Sequence, residues 1–168
     1  MEQDTILLGV GLISVLAFIF AGVLIRFILK KDAGDKKVQE IADLIHKGAM
    51  AFMKKEYRIM FIFMIVIMVI LYFVLPHGTE MAIMFFFGSI FSAAAGWVGM
   101  YIATKSNSRT AIGASKSLNE GLKVAFSSGV VMGMIVVALG LLGVTFFFWL
   151  YGDPELIFGF AFGASYIA

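Results

Sequence analysis

Residues 59–74 read IMFIFMIVIMVILYFV and contain no charged side chain. A short chain cannot enclose such a run in a water-soluble core, so the run must face lipid or other apolar helices in a bilayer. It is one of five uncharged stretches, which cover residues 5–25, 59–74, 81–104, 124–152 and 156–168. A helix rises about 1.5 Å per residue and hydrocarbon is about 30 Å thick, so the first four stretches are long enough to cross when their anchoring flanks are included.

The composition of the whole chain agrees with a membrane protein. Of the 168 residues, 61% are hydrophobic and 14% charged, and the mean hydropathy is +1.00. Soluble domains are about half apolar and a quarter charged, so this class is excluded.

The absence of cysteine excludes disulfides and thiolate metal sites, and the two histidines, His46 and His77, have no metal-binding spacing. The acidic start at Glu2 and Asp4 is unlike a secretory signal, so the first span is predicted to be retained.

The sequence therefore predicts an all-α, polytopic transmembrane helix bundle, with residues 1–168 forming the N-terminal part of one transmembrane domain. The predicted elements are five spans and one cytoplasmic amphipathic helix. The spans are residues 5–29, 57–75, 81–104, 122–151 and 155–168, and the amphipathic helix is residues 36–55.

The distribution of lysine and arginine predicts the orientation, because positive charge is retained in cytoplasmic loops near span ends. All 13 of these residues lie between the first and second uncharged stretches or between the third and fourth. The opposite side carries only acidic residues, namely Glu2, Asp4, Glu80, Asp153 and Glu155. The N-terminus is predicted to lie outside and both basic segments in the cytoplasm.

The fifth span is expected to be incomplete. It enters the membrane near Leu156 and reaches Ala168 after about 20 Å of helix, which would leave a carboxylate at membrane depth. We therefore expect the natural chain to continue past Ala168.

Residues 36–55 place Val38, Ile41, Ile45, Ala49 and Phe52 on one helical face. This pattern indicates an amphipathic helix. It is interpreted as a cytoplasmic helix on the membrane surface or on the bundle, with a partner-binding helix as the alternative.

Small residues recur at helix-turn spacing in the last three spans. Such spacing allows close approach of helix backbones, so tight packing is predicted, with flexible transport hinges as the alternative. The positions assigned to helix packing are Gly88, Ser92, Gly96, Gly99, Gly129, Gly133, Gly159 and Gly163.

No candidate catalytic group stands out in the sequence. The five uncharged stretches contain no ionisable relay, and Arg26 is interpreted as an interfacial anchor rather than a functional group. Glu56, among Lys54, Lys55 and Arg58, is interpreted as part of a solvated helix start.

The positive charges of the basic segment 105–123 are explained by membrane topology, with attraction of a phosphate-like polyanion as the alternative. No phosphate loop, metalloprotease motif or nucleophile elbow is present, and no nucleic-acid partner is expected.

Several segments resemble membrane-bound, ion-translocating pyrophosphatases. The resemblance begins with GAMAFMKKEY at residues 48–57. It continues in the same order through GWVGM (96–100), ATKSNSRTA (103–111), GLKVAF (121–126), SGVVMG (128–133) and FGAS (162–165).

The resemblance implies a bundle of about sixteen helices that forms homodimers, hydrolyses cytoplasmic pyrophosphate with magnesium and moves protons or sodium outward. It also implies a bacterial or archaeal cell membrane, four outer-ring spans and a fifth span that lines the ion path. Ser165 is the one candidate for that path, and helix packing is its alternative and favoured role. The family's catalytic and magnesium-binding motifs follow later, so no catalytic, cofactor or metal residue is assigned here. The alternative function is a non-enzymatic five-span scaffold or transporter subunit.

Overall fold

The computed structural model describes the backbone of residues 2–167 and the side chains of residues 4–166. Its elements are five α-helices: α1 Glu2–Leu29, α2 Lys36–Val74, α3 Gly78–Lys116, α4 Leu118–Tyr151 and α5 Pro154–Ile167. Four of them, α1 to α4, are long and apolar enough to cross a membrane. The prediction of an all-helical chain with four long apolar helices is confirmed.

The second helix is continuous where the sequence analysis placed two elements. Asp35 caps its start, since the carboxylate accepts a hydrogen bond from the Val38 backbone N–H at 2.9 Å. No proline follows until Pro76, and the charged residues after Met53 are good helix formers. The helix therefore passes from the amphipathic segment 36–55 into the apolar segment 57–75 without a break.

The third helix also continues well beyond its uncharged stretch. It ends at Lys116, and Ser117 then turns the chain directly into α4 by accepting a hydrogen bond from the Glu120 N–H at 3.2 Å. The predicted end of the span at Thr104 marks a change of side-chain polarity and not a helix end. Backbone hydrogen bonding within a helix is local, so it does not depend on whether lipid or water surrounds the side chains.

The first four helices form a row in the order α2, α3, α4, α1, and α5 packs mainly on α3 with a smaller contact on α4. One core cluster joins α1, α3 and α4 around Ala21, Ile28, Ile102, Val124 and Val131. A second cluster joins α3, α4 and α5, and its buried members are Met84, Phe147, Leu156 and Phe160. The third helix therefore contacts each of the other four helices, although α1 packs mainly on α4.

The predicted apolar face of residues 36–55 is largely uncovered in the described part of the chain. Ile41, Ile45 and Phe52 are 52%, 47% and 60% exposed. The hydrogen bonds of this segment with α3 come from Asp43 and His46, and Met53 near its end is buried. Both interpretations of the segment, a helix against lipid and a helix that binds a partner, stay predictions.

Hydrogen bonds fix how α2 lies along α3. The Tyr57 hydroxyl donates to the Ala93 carbonyl at 2.8 Å, whereas His46 contacts Thr104. From Ala93 to Thr104 is eleven residues, or about 16 Å of helix. The span edges predicted at Tyr57 and Thr104 were both assigned to the cytoplasmic side, yet they lie at different heights along α3. An apolar run read from the sequence therefore does not locate a common membrane plane.

Candidate functional site

Three ion pairs bring the lysine- and arginine-rich segments to one end of the bundle. Lys105 Nζ lies 3.3 Å from Asp43 Oδ1, and Lys31 Nζ lies 3.5 Å from Glu120 Oε2. A third pair, Lys116 with Asp32, has its charged atoms 3.8 Å apart. Residues 30–47 and 105–123 are called the basic end below. The side chains are partly exposed, so each pair contributes at most about 1 kcal/mol of stability.

The segment 105–123 is not a loop of free positive charge. Lys105 and Lys116 have the carboxylate partners just described, and Lys123 Nζ lies 3.7 Å from Glu120 Oε1. Arg109 differs, since its guanidinium donates to the carbonyls of Lys105 at 2.6 Å and Leu29 at 3.4 Å. It has no carboxylate partner among the described residues. The positive field of this segment is therefore concentrated at Arg109.

A polar contact joins α2 to α3 at the same end. The Thr104 hydroxyl donates to the Met100 carbonyl of its own helix at 2.8 Å, so its oxygen can accept a hydrogen bond from His46 Nδ1–H at 2.7 Å. The His46 ring also meets the Tyr101 ring edge-on, with centroids 5.2 Å apart, and Tyr101 stacks on Trp97. This arrangement requires the tautomer that carries its proton on Nδ1.

A close approach of the α3 and α5 backbones involves predicted packing positions. A β-carbon built on Gly88 of α3 would collide with the carbonyl oxygen of Phe160, and one on Gly163 of α5 would collide with that of Phe85. A β-carbon on Gly159 would lie 2.9 Å from the Met81 carbonyl oxygen. Only glycine permits this backbone separation. The fifth helix is held against α3 by these contacts.

The other predicted packing positions fall into two groups. A β-carbon on Gly96 would meet the Tyr57 hydroxyl at 2.9 Å, one on Gly99 would meet Met132 Sδ at 2.8 Å, and Ser92 lines a groove with Gly96. Nothing in the described residues lies within 4 Å of a β-carbon on Gly129 or Gly133. For these two glycines of α4, a role in helix packing stays a prediction.

Most of the chain matches one known protein family. The sequence profile of the family described as inorganic H+ pyrophosphatase matches residues 15–168, which cover α2 to α5 and the second half of α1. The chain belongs to this family. The resemblance noted at residues 48–57 and 96–133 is thereby confirmed.

Individual members of the pyrophosphatase family align over most of the chain. A K(+)-insensitive pyrophosphate-energized proton pump of Methanosarcina mazei is 40% identical over 166 residues, which are 99% of this chain and 25% of the relative. A putative K(+)-stimulated pyrophosphate-energized sodium pump of Clostridium tetani is 46% identical over 158 residues, or 94% of this chain and 23% of the relative. The chain therefore spans about a quarter of the length of the curated relatives it matches.

A pyrophosphatase of this family is expected to need magnesium, so the described residues were tested for a fit. No three histidine, cysteine, aspartate or glutamate side chains among them come together as a metal site. Two carboxylates of the basic end also form ion pairs with lysines, Asp43 with Lys105 and Asp32 with Lys116. The described residues do not fit a magnesium site, and no step is assigned to the metal here.

Ser165, the predicted ion-path position, lies exposed on α5 and donates to the Ala161 carbonyl of its own helix at 2.9 Å. The structure does not bring it together with Arg109 or with the other polar groups of the basic end. Its role in an ion path stays a prediction for this member of the pyrophosphatase family.

Sequence reasoning missed one close contact. A β-carbon on Gly143 would collide with the Phe160 ring, so this glycine of α4 provides the space that receives a side chain of α5. The Phe160 side chain is 1% exposed. The pair Gly140 and Gly143 has three-residue spacing, which was the available signal, whereas packing positions were predicted from small residues four apart.

Proposed function

We propose that this chain forms the N-terminal part of a pump that couples hydrolysis of cytoplasmic pyrophosphate to outward transport of protons or sodium. The observation that carries the proposal is the family match over residues 15–168. It is supported by identities of 40% and 46% to pumps energised by pyrophosphate. The bundle of α1 to α5 supplies helices for such a pump, while the catalytic chemistry is assigned to residues outside this chain.

The proposal includes an orientation and a place in the pump. The N-terminus lies outside and the basic end faces the cytoplasm, in agreement with the positive-inside rule. By family resemblance, α1 to α4 belong to the outer ring and α5 to the inner ring that lines the ion path. The intact protein binds magnesium with pyrophosphate, forms a homodimer and lies in the cell membrane of a bacterium or archaeon. No nucleic-acid partner is part of the proposal.

The proposal includes both protons and sodium as the transported ion. The Methanosarcina mazei relative is named for protons and the Clostridium tetani relative for sodium, at 40% and 46% identity. The uncharged apolar stretches of α1 to α5 contain no carboxylate that would distinguish the two cations. The determinants of ion choice are therefore assigned to the rest of the pump.

The alternative is a five-span scaffold or transporter subunit without enzymatic activity, and the gene sequence beyond codon 168 separates the two. A continuation that contains a Gly-rich segment with lysine and aspartate supports the pump. A stop codon directly after Ala168 supports the subunit.

A hydrolysis assay tests the same assignment biochemically. The 168-residue chain, purified in a mild detergent, should release no orthophosphate from pyrophosphate in the presence of magnesium. A full-length pump from Methanosarcina mazei, purified in the same way, is the positive control. Magnesium-dependent turnover by this chain alone would contradict the assignment of catalysis to later segments.

A further inference from the structure

A small cavity opens at the basic end, where the α1–α2 connection meets α2 and α3. Its volume is about 120 Å³, and six of its eight lining residues are polar. The polar ones are Gln39, Asp43, Thr104, Lys105, Ser108 and Arg109. A cavity of this size and polarity has room for several waters or for one small oxyanion.

Two of the lining side chains have hydrogen-bonding groups that the described residues leave unused. Arg109 has five N–H donors, of which one is given to the Lys105 carbonyl and one to the Leu29 carbonyl. Its Nε is buried and has no partner. Ser108 is 7% exposed and its hydroxyl makes no hydrogen bond to the described residues, whereas Ser106, two positions earlier, donates to the Ala103 carbonyl at 2.8 Å. A buried donor without a partner, such as Arg109 Nε, is uncommon and indicates a missing acceptor.

The charge around the cavity favours an anion. Arg109 and Lys105 contribute two positive charges, and Asp43, 3.3 Å from Lys105 Nζ, contributes one negative charge. His46, which also contacts Thr104, lies beside this group. A planar guanidinium fork together with an ammonium and a hydroxyl is a donor set suited to a phosphate oxyanion.

We infer that this cavity binds a phosphate group through Arg109, Lys105 and Ser108. The group belongs either to the headgroup of an anionic lipid or to free orthophosphate. Basic pockets between transmembrane helices are known to hold lipid headgroups. The inference does not rest on the proposed pump function.

The test compares two sources of phosphate on the 168-residue chain. Orthophosphate binding is measured by calorimetry in a neutral maltoside detergent. Lipid binding is measured by native mass spectrometry after exchange into micelles that contain phosphatidic acid or, separately, phosphatidylcholine. Binding of orthophosphate alone assigns the cavity to the free anion, and retention of phosphatidic acid alone assigns it to a lipid headgroup; either result supports a phosphate site.

Substitutions distinguish the cavity from general attraction to positive charge. Arg109→Gln should weaken binding about tenfold, since a charge-assisted hydrogen bond is lost. The matched control is Lys116→Gln, which removes an equal charge from a lysine outside the cavity and should change binding less than about twofold at moderate salt. Equal loss in the two variants, or no measurable binding of either phosphate source, would overturn the inference.

A third variant distinguishes weaker phosphate binding from loss of the folded structure. Asp43→Asn removes the negative charge that neutralises Lys105, so phosphate should bind several-fold more tightly. Damage to the fold cannot produce tighter binding, and circular dichroism verifies that each variant keeps its helix content. Unchanged or weaker binding by the folded Asp43→Asn protein would contradict the participation of Lys105.

Discussion

Gly88 of α3 and Gly163 of α5 lie against the backbone of each other's helix, at a separation that no β-carbon can occupy. The Gly88 position faces the carbonyl of Phe160, and the Gly163 position faces the carbonyl of Phe85. Backbone cannot move aside as a flexible side chain can. The contact between the third and fifth helices therefore depends on two specific glycines.

Alanine at Gly88 or Gly163 should separate these helices. We expect each substitution to lower the free energy of unfolding by about 1 to 3 kcal/mol, the usual effect of overpacking. The control is Gly129→Ala, because nothing in the described residues lies within 4 Å of that position, and alanine there should be neutral or stabilise the helix by up to about 1 kcal/mol. Unfolding is followed by circular dichroism in detergent. Equal destabilisation of all three variants would contradict the α3–α5 contact.

Phe160 should be a principal anchor of α5. Its ring is 1% exposed and occupies the space left by Gly143. Truncation to alanine should cost about 3 to 5 kcal/mol of unfolding free energy because it leaves a cavity. Phe158→Ala is the matched control, since Phe158 is 72% exposed. Its truncation should change the free energy of unfolding by less than about 0.5 kcal/mol. If both variants unfold alike, Phe160 is not an anchor.

The hydrogen bond between His46 and Thr104 should join α2 to α3. Thr104→Val keeps the shape of the side chain but removes the acceptor, and we expect a loss of about 1 kcal/mol in unfolding free energy. Thr104→Ser should restore most of it, because the hydroxyl is retained. Removal of the hydroxyl of Ser127, which is exposed and bonds only to its own helix, should have little effect. A stable Thr104→Val protein would show that the contact contributes nothing.

The sequence was sufficient for the helical class but not for the details of the fold. Uncharged runs predicted four long apolar helices because charge is excluded from hydrocarbon. The uncharged runs did not predict that α2 continues through residue 55. Backbone hydrogen bonds within a helix form whether lipid or water surrounds the side chains, so a change of polarity does not mark a helix end. The relative heights of Tyr57 and Thr104 depend on tertiary contacts, which polarity along one helix does not record.

The cavity at the basic end was also beyond sequence reasoning. Lys105 and Arg109 were recognised as part of a basic segment, whose charges topology alone could explain, and Ser108 was not singled out. Their convergence with Gln39 and Asp43 depends on the register between α2 and α3, and that register is set by long-range contacts such as Tyr57 with Ala93. Gly143 was missed because its three-residue spacing from Gly140 falls outside the four-residue pattern used to predict packing positions.

The sidedness of the chain can be measured with single cysteines, since the native sequence contains none. Cysteine at Lys36 and at Lys105 should react with a membrane-impermeant maleimide from the same side of the membrane. Cysteine at Glu80 and at Asp153 should react only from the other side. Labelling is compared in intact cells and inverted vesicles. Reaction of the Lys36 and Lys105 positions from opposite sides would refute the proposed orientation.

A chimera tests the proposed function most directly. This chain replaces the matching quarter of the Methanosarcina mazei pump, to which it is 40% identical, and inverted vesicles are assayed for acidification on addition of pyrophosphate and magnesium. We expect pyrophosphate-dependent acidification that Gly88→Leu abolishes and Gly129→Ala preserves. A chimera that reaches the membrane at the normal level and helix content, yet neither hydrolyses pyrophosphate nor moves protons, would contradict the assignment of this chain to a pyrophosphate-energised pump.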